Sequence, residues 1–242
     1  MSKYLGYKGK TKETLGNLNF EVIKVIDMKK HLFEVIFEDG AITQARTKEI
    51  MNGSIKSPML KSVYGVGFLG IGTHTTSKNN VKNKTYDIWC KIIKRCYCKT
   101  DKNYRSYGAK GIKVSEEWHC FQNFADWYEN NKKQEHDLDK DILGGDIYSK
   151  EKCIFIHRKI NSIIQTSKIM KIKKINKNKF KISEEINGQH KYTIYKTLKE
   201  AKKATKKSFI NKIKNTIRKE KINIDLKVLK LIFKITPILV NP

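Results

Sequence analysis

The stretch LDKDILGGDIYSKEKCIFI, residues 138 to 156, holds the side chains best suited to chemistry. Asp137, just before it, and Asp139 and Asp141 within it fall at every second position along the first apolar run. On a strand that spacing puts three carboxylates on one face, where they can hold a hard divalent cation or equally form a solvated edge paired with basic partners. The same parity puts His136 and Lys140 on the opposite face, and His157 follows the second run. Histidine exchanges protons near neutral pH and can act as a base toward water. Both histidines are equally readable as solvated groups or phosphate contacts. Lys140 is a poor base, because with a reference pKa near 10.4 only about one in 2,500 is deprotonated at pH 7 and neighbouring aspartates raise that pKa further. As a cation it suits a phosphate. Gly144, Gly145 and Asp146 read as a turn between the two runs.

The composition points to the same class of ligand. The 242 residues include 51 Lys and Arg against 24 Asp and Glu, a formal charge of +27. Such a field attracts polyanions, and neutralising phosphates releases counterions, so nucleic acid is the expected partner. Lys, Ile and Asn are abundant together, as A/T-rich codons would produce. That bias does not deplete acidic residues, and the imbalance retains its meaning. No run approaches the roughly 20 apolar residues of a membrane span, and the first ten residues lack the apolar core of a signal peptide. A cytoplasmic location without membrane association is expected. The C-terminal VLKLIFKITPILV, interrupted by lysines, reads as a buried or docking segment. Five cysteines, an odd number without CxxC spacing, read as reduced packed thiols. Cys96 and Cys98 with His119 and Cys120 form an alternative zinc set.

The elements that must position these groups follow from periodicity. NFEVIKVID and LFEVIFEDGAITQAR alternate as strands around an Asp39-Gly40 turn, a small β module over about residues 15 to 50. YGVGFLGIG lacks the strand, helix and acidic residue of a dinucleotide loop and reads as a glycine-rich connector or close-packed turn. Tyr86, Trp89, Ile92, Ile93 and Cys96 fall at helical spacing, with Lys91, Lys94 and Arg95 off that stripe. GIKV reads as a strand. A helix is expected from Ser115, with Trp118, Phe121, Phe124 and Trp127 as core on one face. IHRKINSIIQTSK reads as a short helix. KFKISEEI and HKYTIYKT flank Asn187-Gly188 as a hairpin, LKEAKKATKK follows as a basic helix, and Ile213, Ile217, Ile222 and Ile224 are candidate core beyond it. The expected class is α+β, in three modules at 1–60, 61–167 and 168–242.

Three segments, YDIWCKIIKRCYC, YGAKGIKVSEEWHCFQNFADWYE and LDKDILGGDIYSKEKCIFIHRKIN, carry a resemblance. In order and spacing, over about residues 64 to 166, they resemble phage-encoded HNH endonucleases of the homing and free-standing type. Residues 171 to 206 resemble the small DNA-binding domain often fused to them, related to the plant Apetala and ethylene-response domain, with lysine where that sheet usually carries tryptophan and arginine.

The resemblance implies a ββα-metal hairpin and helix in the central region, binding one divalent ion, Mg²⁺ or Mn²⁺, and hydrolysing phosphodiester bonds in duplex DNA. Carried over, it puts Asp139 and Asn161 at the metal, with Asp141 as a further carboxylate. Lys140 stands at the position of the base histidine, and Lys152 at that of the asparagine that braces the loop. His157 and His136 are the substitute bases. The departure at Lys140 keeps a second reading open, a DNA-binding or regulatory protein that has the fold without the catalysis. A basic RNA-associated protein is a third. Expected DNA contacts are Lys91, Lys94, Arg95, Arg105 and Lys110 in the central region, and Lys179, Lys181, Lys191 and Lys196 on the C-terminal sheet. As lysines they would mostly touch phosphate.

Overall fold

The structure is a computed structural model that describes residues 3–167, 171–186, 189–234 and 239–241. The chain opens with strands β1 (Lys8–Lys10), β2 (Asn19–Asp27), β3 (Leu32–Phe37) and β4 (Ile42–Arg46), an antiparallel sheet in that order, followed by the short helix α1 (Thr47–Met51). Alternation decides the buried face: Phe33, Val35 and Phe37 point inward with Phe20, Val22, Ala45 and Ile50. Asp39 and Gly40 make the expected turn, Gly40 at φ 80 and the Asp39 carboxylate accepting the Ala41 N–H at 2.9 Å. β1 lies outside the expected span because KGK carries no apolar alternation; its pairing with Asn19–Glu21 creates it.

The glycine segment is a packed turn. Gly67 lies against the Trp89 ring, and a methyl group at Gly70, where φ is +78, would collide with the Cys120 sulfur. Gly70→Ala combines that clash with a left-handed backbone and is expected to destabilise the fold by roughly 2–4 kcal/mol. Urea unfolding measures it, and a loss under 1 kcal/mol would mean that the turn relaxes.

A two-residue pair, β5 (Ser77–Lys78) and β6 (Val81–Lys82), precedes helix α2 (Lys84–Tyr97), whose Asn83 side chain accepts the Thr85 N–H at 2.8 Å as an N-cap. Trp89, Ile92, Ile93 and Cys96 are buried as their spacing predicts, and Tyr86 is half-buried. Strand β7 (Lys113–Val114) follows. The helix expected from Ser115 breaks: a 3-10 turn covers Glu116–His119, and α3 (Phe121–Asn131) begins only after an extended Cys120. The cause is competition for backbone groups. The His119 carbonyl accepts the Phe68 N–H at 3.0 Å and the Phe121 N–H donates to the Phe68 carbonyl at 2.9 Å. Trp118, Phe121 and Phe124 are core as expected, and Trp127 is half-buried.

Beyond α3 come β8 (His136–Asp139), β9 (Ile147–Tyr148), β10 (Ile154–His157) and α4 (Arg158–Ser167). Only the end of the run beyond the Gly-Gly-Asp turn returns to β8. β9 pairs in parallel with β7, and the antiparallel partner of β8 is β10. The C-terminal region holds β11 (Lys171–Asn176), β12 (Lys179–Ile186), β13 (Gln189–Tyr195), α5 (Leu198–Lys219), α6 (Leu226–Lys234) and β14 (Leu239–Asn241). β11, β12 and β13 are antiparallel and β14 adds in parallel to β11. The turn residues Asn187 and Gly188 lie outside the described residues; the strands that flank them pair up to Ile186 and Gln189. α5 starts in a capping box, Thr197 Oγ1 accepting the Glu200 N–H and the Glu200 carboxylate accepting that of Thr197, each at 3.2 Å. Ile213 and Ile222 are buried, with Ile217 and Ile224 packed against them.

The chain is thus α+β, and it divides into two compact units: residues 1–131 with 146–149, and residues 132–145 with 150–242. The division runs through the segment 61–167. No helix among the described residues is long and apolar enough to cross a membrane.

Candidate functional site

The register of β8 and β10 decides which side chains share a face. Asp137 lies opposite Ile156 and Asp139 opposite Ile154, whereas His136 lies opposite His157 and Leu138 opposite Phe155. Directly paired residues point the same way, so Asp137 and Asp139 share a face with Ile154 and Ile156, and both histidines occupy the other. Ile156 is buried in a cluster with Ile160 and Ile164 of α4, Phe209 and Ile213 of α5, and Ile232 of α6. The Asp137–Asp139 face is therefore the face that α4 covers.

Asp139 is 5% exposed. Its Oδ1 accepts the N–H groups of Asp141 at 2.8 Å and Ile142 at 2.9 Å, which turns the chain out of the strand. Asp141 is the consequence of that turn: it stands beyond the strand, not third in an alternating row. Its carboxylate meets Lys140 Nζ at 2.7 Å. Lys140 is itself only 6% exposed, a cation folded back onto its sequence neighbour. Asp137 pairs with Arg158 at 3.5 Å on the rim. Lys152 is exposed, and its aliphatic stem passes beside Gly145.

The two histidine rings meet edge to face, with centroids 5.4 Å apart, and His157 Nε2 lies 3.5 Å from the Glu135 carboxylate. Neither faces Asp139. Strand parity separates both histidines, the candidates for a substitute base, from the aspartate.

Asn161 lies on α4 between Ile160 and Ile164, and its Oδ1 is buried without a hydrogen-bond partner. A carbonyl oxygen desolvated in this way costs about 1–3 kcal/mol unless something occupies it. That is the observation on which a divalent ion can be tested. A hydrated Mg²⁺ needs only one or two protein oxygens, and Asp139 with Asn161 supplies suitable hard donors. Asp141, engaged with Lys140, does not fit as a third. Among the described residues no three His, Cys, Asp or Glu side chains converge as a metal cluster, which removes the alternative zinc set at Cys96, Cys98, His119 and Cys120. All five cysteines are free thiols.

His119 instead sits against Tyr97, Nε2 to hydroxyl 3.2 Å, and burial pushes its pKa below the usual histidine value. In the unfolded chain the ring protonates near 6.5; in the folded chain it resists. Its contribution to stability is complete above about pH 6.5 and is lost as pH falls through the lowered folded value. A His119→Gln variant should show a flatter decline of unfolding midpoint below pH 6.5 than the parent. Parallel declines would remove the assignment.

The expected DNA contacts fall in different surroundings. Lys91 is paired with Asp87 at 2.5 Å and Lys94 with Asp101 at 3.4 Å, while Arg105 and Lys110 are exposed. Arg95 is held between two rings, its guanidinium carbon 4.9 Å from the centroids of both Tyr107 and Tyr148, with Nε buried and unpartnered. Sequence reasoning named Arg95 but not the tyrosines; the signal was aromatic residues flanking each glycine or serine turn of a basic segment. On the C-terminal sheet, parity puts Lys179 and Lys181 opposite the buried Phe180 and Ile182, with Lys181 Nζ 4.3 Å over the exposed Tyr192 ring, while Lys196 lies just past the end of β13. Lys191 shares the other face, toward α5, with Thr193 and Tyr195.

Comparison of the chain with protein-family profiles, with curated proteins and with solved structures finds no match.

Proposed function

We propose that the chain is a DNA-binding endonuclease of the HNH type, hydrolysing phosphodiester bonds in duplex DNA with Mg²⁺ or Mn²⁺ held at Asp139 and Asn161. The observation that carries this reading is an antiparallel strand pair running directly into a covering helix, with a buried carboxylate on the covered face and an unsatisfied buried carbonyl on the helix. The chemistry supplied by the bound ion is stabilisation of charge on the phosphate and leaving oxygen, together with acidification of the attacking water. The protein's own groups do the remainder. Asp139 is fixed by the two N–H groups it accepts, so its carboxylate needs no reordering when substrate arrives. The net charge of +27 draws the duplex in, and Arg105 and Lys110 are exposed for phosphate contact.

A second reading is a DNA-binding protein without catalysis. It is favoured by the Lys140–Asp141 pair where a base is needed, and by the placing of both hairpin histidines on the face away from Asp139. A supercoiled-plasmid assay with Mg²⁺ or Mn²⁺ separates the two. Nicking that disappears in Asn161→Ala supports the enzyme; duplex binding without nicking of plasmid or phage genomic DNA supports the binding protein. Tighter binding of structured RNA than of duplex DNA at equal salt would displace both.

A further inference from the structure

The helix-facing side of the C-terminal sheet borders a cleft of about 520 Å³ that no part of the hairpin uses. The size is that of an ordinary ligand pocket. One wall is the inner face of β12 and β13, where Ile182 lies opposite Thr193 and Lys191 and Tyr195 follow the same parity. The other wall is a stripe on α5, Ala204, Lys207, Ser208, Asn211, Lys212 and Asn215, recurring at three- and four-residue steps. The register forces this arrangement. Ala201, Thr205, Phe209 and Ile213 take the buried edge of the same helix, so its next stripe must face the open end of the strand pair.

Three lysines line the cleft, and among the described side chains no carboxylate does. Lys207 and Lys212 have no ion-pair partner among the described residues, and the side chains of Thr193, Ser208, Asn211 and Asn215 make no hydrogen bond to any described residue. A concave surface of lysine, hydroxyl and amide donors is suited to phosphate oxygens, which accept from all three and carry no sequence information. We infer that this cleft is a phosphate-binding groove, occupied by the phosphodiester backbone of nucleic acid. The inference rests on the DNA-binding reading for the source of the phosphates and changes where they sit: between helix and strands, not on the outer sheet face that bears Lys179 and Lys181 or at Lys196 beside its edge.

The test uses the full chain, a labelled 20-base-pair duplex and a salt series. A Lys191→Ala, Lys207→Ala, Lys212→Ala triple variant is compared with a Lys179→Ala, Lys181→Ala, Lys196→Ala triple variant of equal charge change. With about 0.9 of slope per phosphate contact, the groove variant should flatten the log–log salt dependence by about 2 to 3 and lose roughly 10²-fold in affinity at 0.1 M salt, the outer-face variant much less. Equal losses in the two variants, or none in the groove variant, overturn the assignment. Calorimetry with inorganic tripolyphosphate separates this outcome from failure of the DNA reading. If the parent binds no duplex yet binds tripolyphosphate, and the groove variant does not, the groove stands with free polyphosphate as its source and the DNA reading falls. If neither ligand responds to the groove lysines, the inference is wrong.

Discussion

Asp139→Asn is expected to lower metal-dependent nicking by at least about 10²-fold while leaving the chain folded. The two effects separate because the carboxylate has two tasks. Its Oδ1 accepts the Asp141 and Ile142 N–H groups and so shapes the exit from β8, a task an amide oxygen performs nearly as well. Its negative charge, which an amide lacks, is what a divalent ion requires. Asp139→Ala removes both, leaving two N–H groups without their acceptor in a region that is largely buried, and should add about 1–3 kcal/mol of destabilisation to the same catalytic loss. Urea unfolding and plasmid nicking on the parent and the two variants separate the two tasks. An asparagine variant that nicks at parental rate would end the assignment of Asp139 to the ion, whatever the alanine variant does.

The second large effect lies in the other unit. Trp89 is fully buried, packs against Phe121 with centroids 5.5 Å apart, and donates its indole N–H to the Trp118 carbonyl at 2.7 Å. Replacing it by alanine empties the centre of that cluster and should cost about 3–5 kcal/mol, a large part of the roughly 5–15 kcal/mol that holds a typical domain together. Phenylalanine substitutions resolve the polar part. Trp89→Phe leaves the Trp118 carbonyl without its donor. Trp118→Phe removes an indole N–H that is buried and has no acceptor, so it should be the milder change although both rings are equally buried. A Trp118→Phe loss exceeding that of Trp89→Phe would contradict this ordering.

How much of this could be read from residues alone varied with the range of the interaction responsible. Helix α2 and the β3–β4 turn were legible because their signals are local: apolar spacing, and Asp39 before Gly40. The start of α3 was not, because Cys120 is held extended by backbone pairing with Phe68, some fifty residues earlier, and nothing in SEEWHCF announces that partner. The hairpin was legible in its two runs, and the end of the second does return on the first, but nothing in the sequence announces that β7 claims Ile147–Tyr148 between them. Asp139 was recognisable as a special carboxylate. That Asp141 leaves the row is a result of the hydrogen bonds Asp139 accepts, which alternation cannot encode. The cleft beside α5 was invisible for a similar reason: its walls are a stripe and a strand face whose juxtaposition depends on packing.

The path of Asp146–Ser149 bears on how the protein is made. These four residues belong to the first unit, although the chain on either side of them belongs to the second. During synthesis, Lys113 and Val114 therefore emerge from the ribosome with their partner strand still more than thirty residues away, and the first unit cannot be completed before part of the second has been translated. A fragment ending at Asn131 lacks that strand by construction. It should show weaker amide protection at Ser115, whose N–H donates to the Tyr148 carbonyl at 2.9 Å in the intact chain. The two units share a schedule of birth.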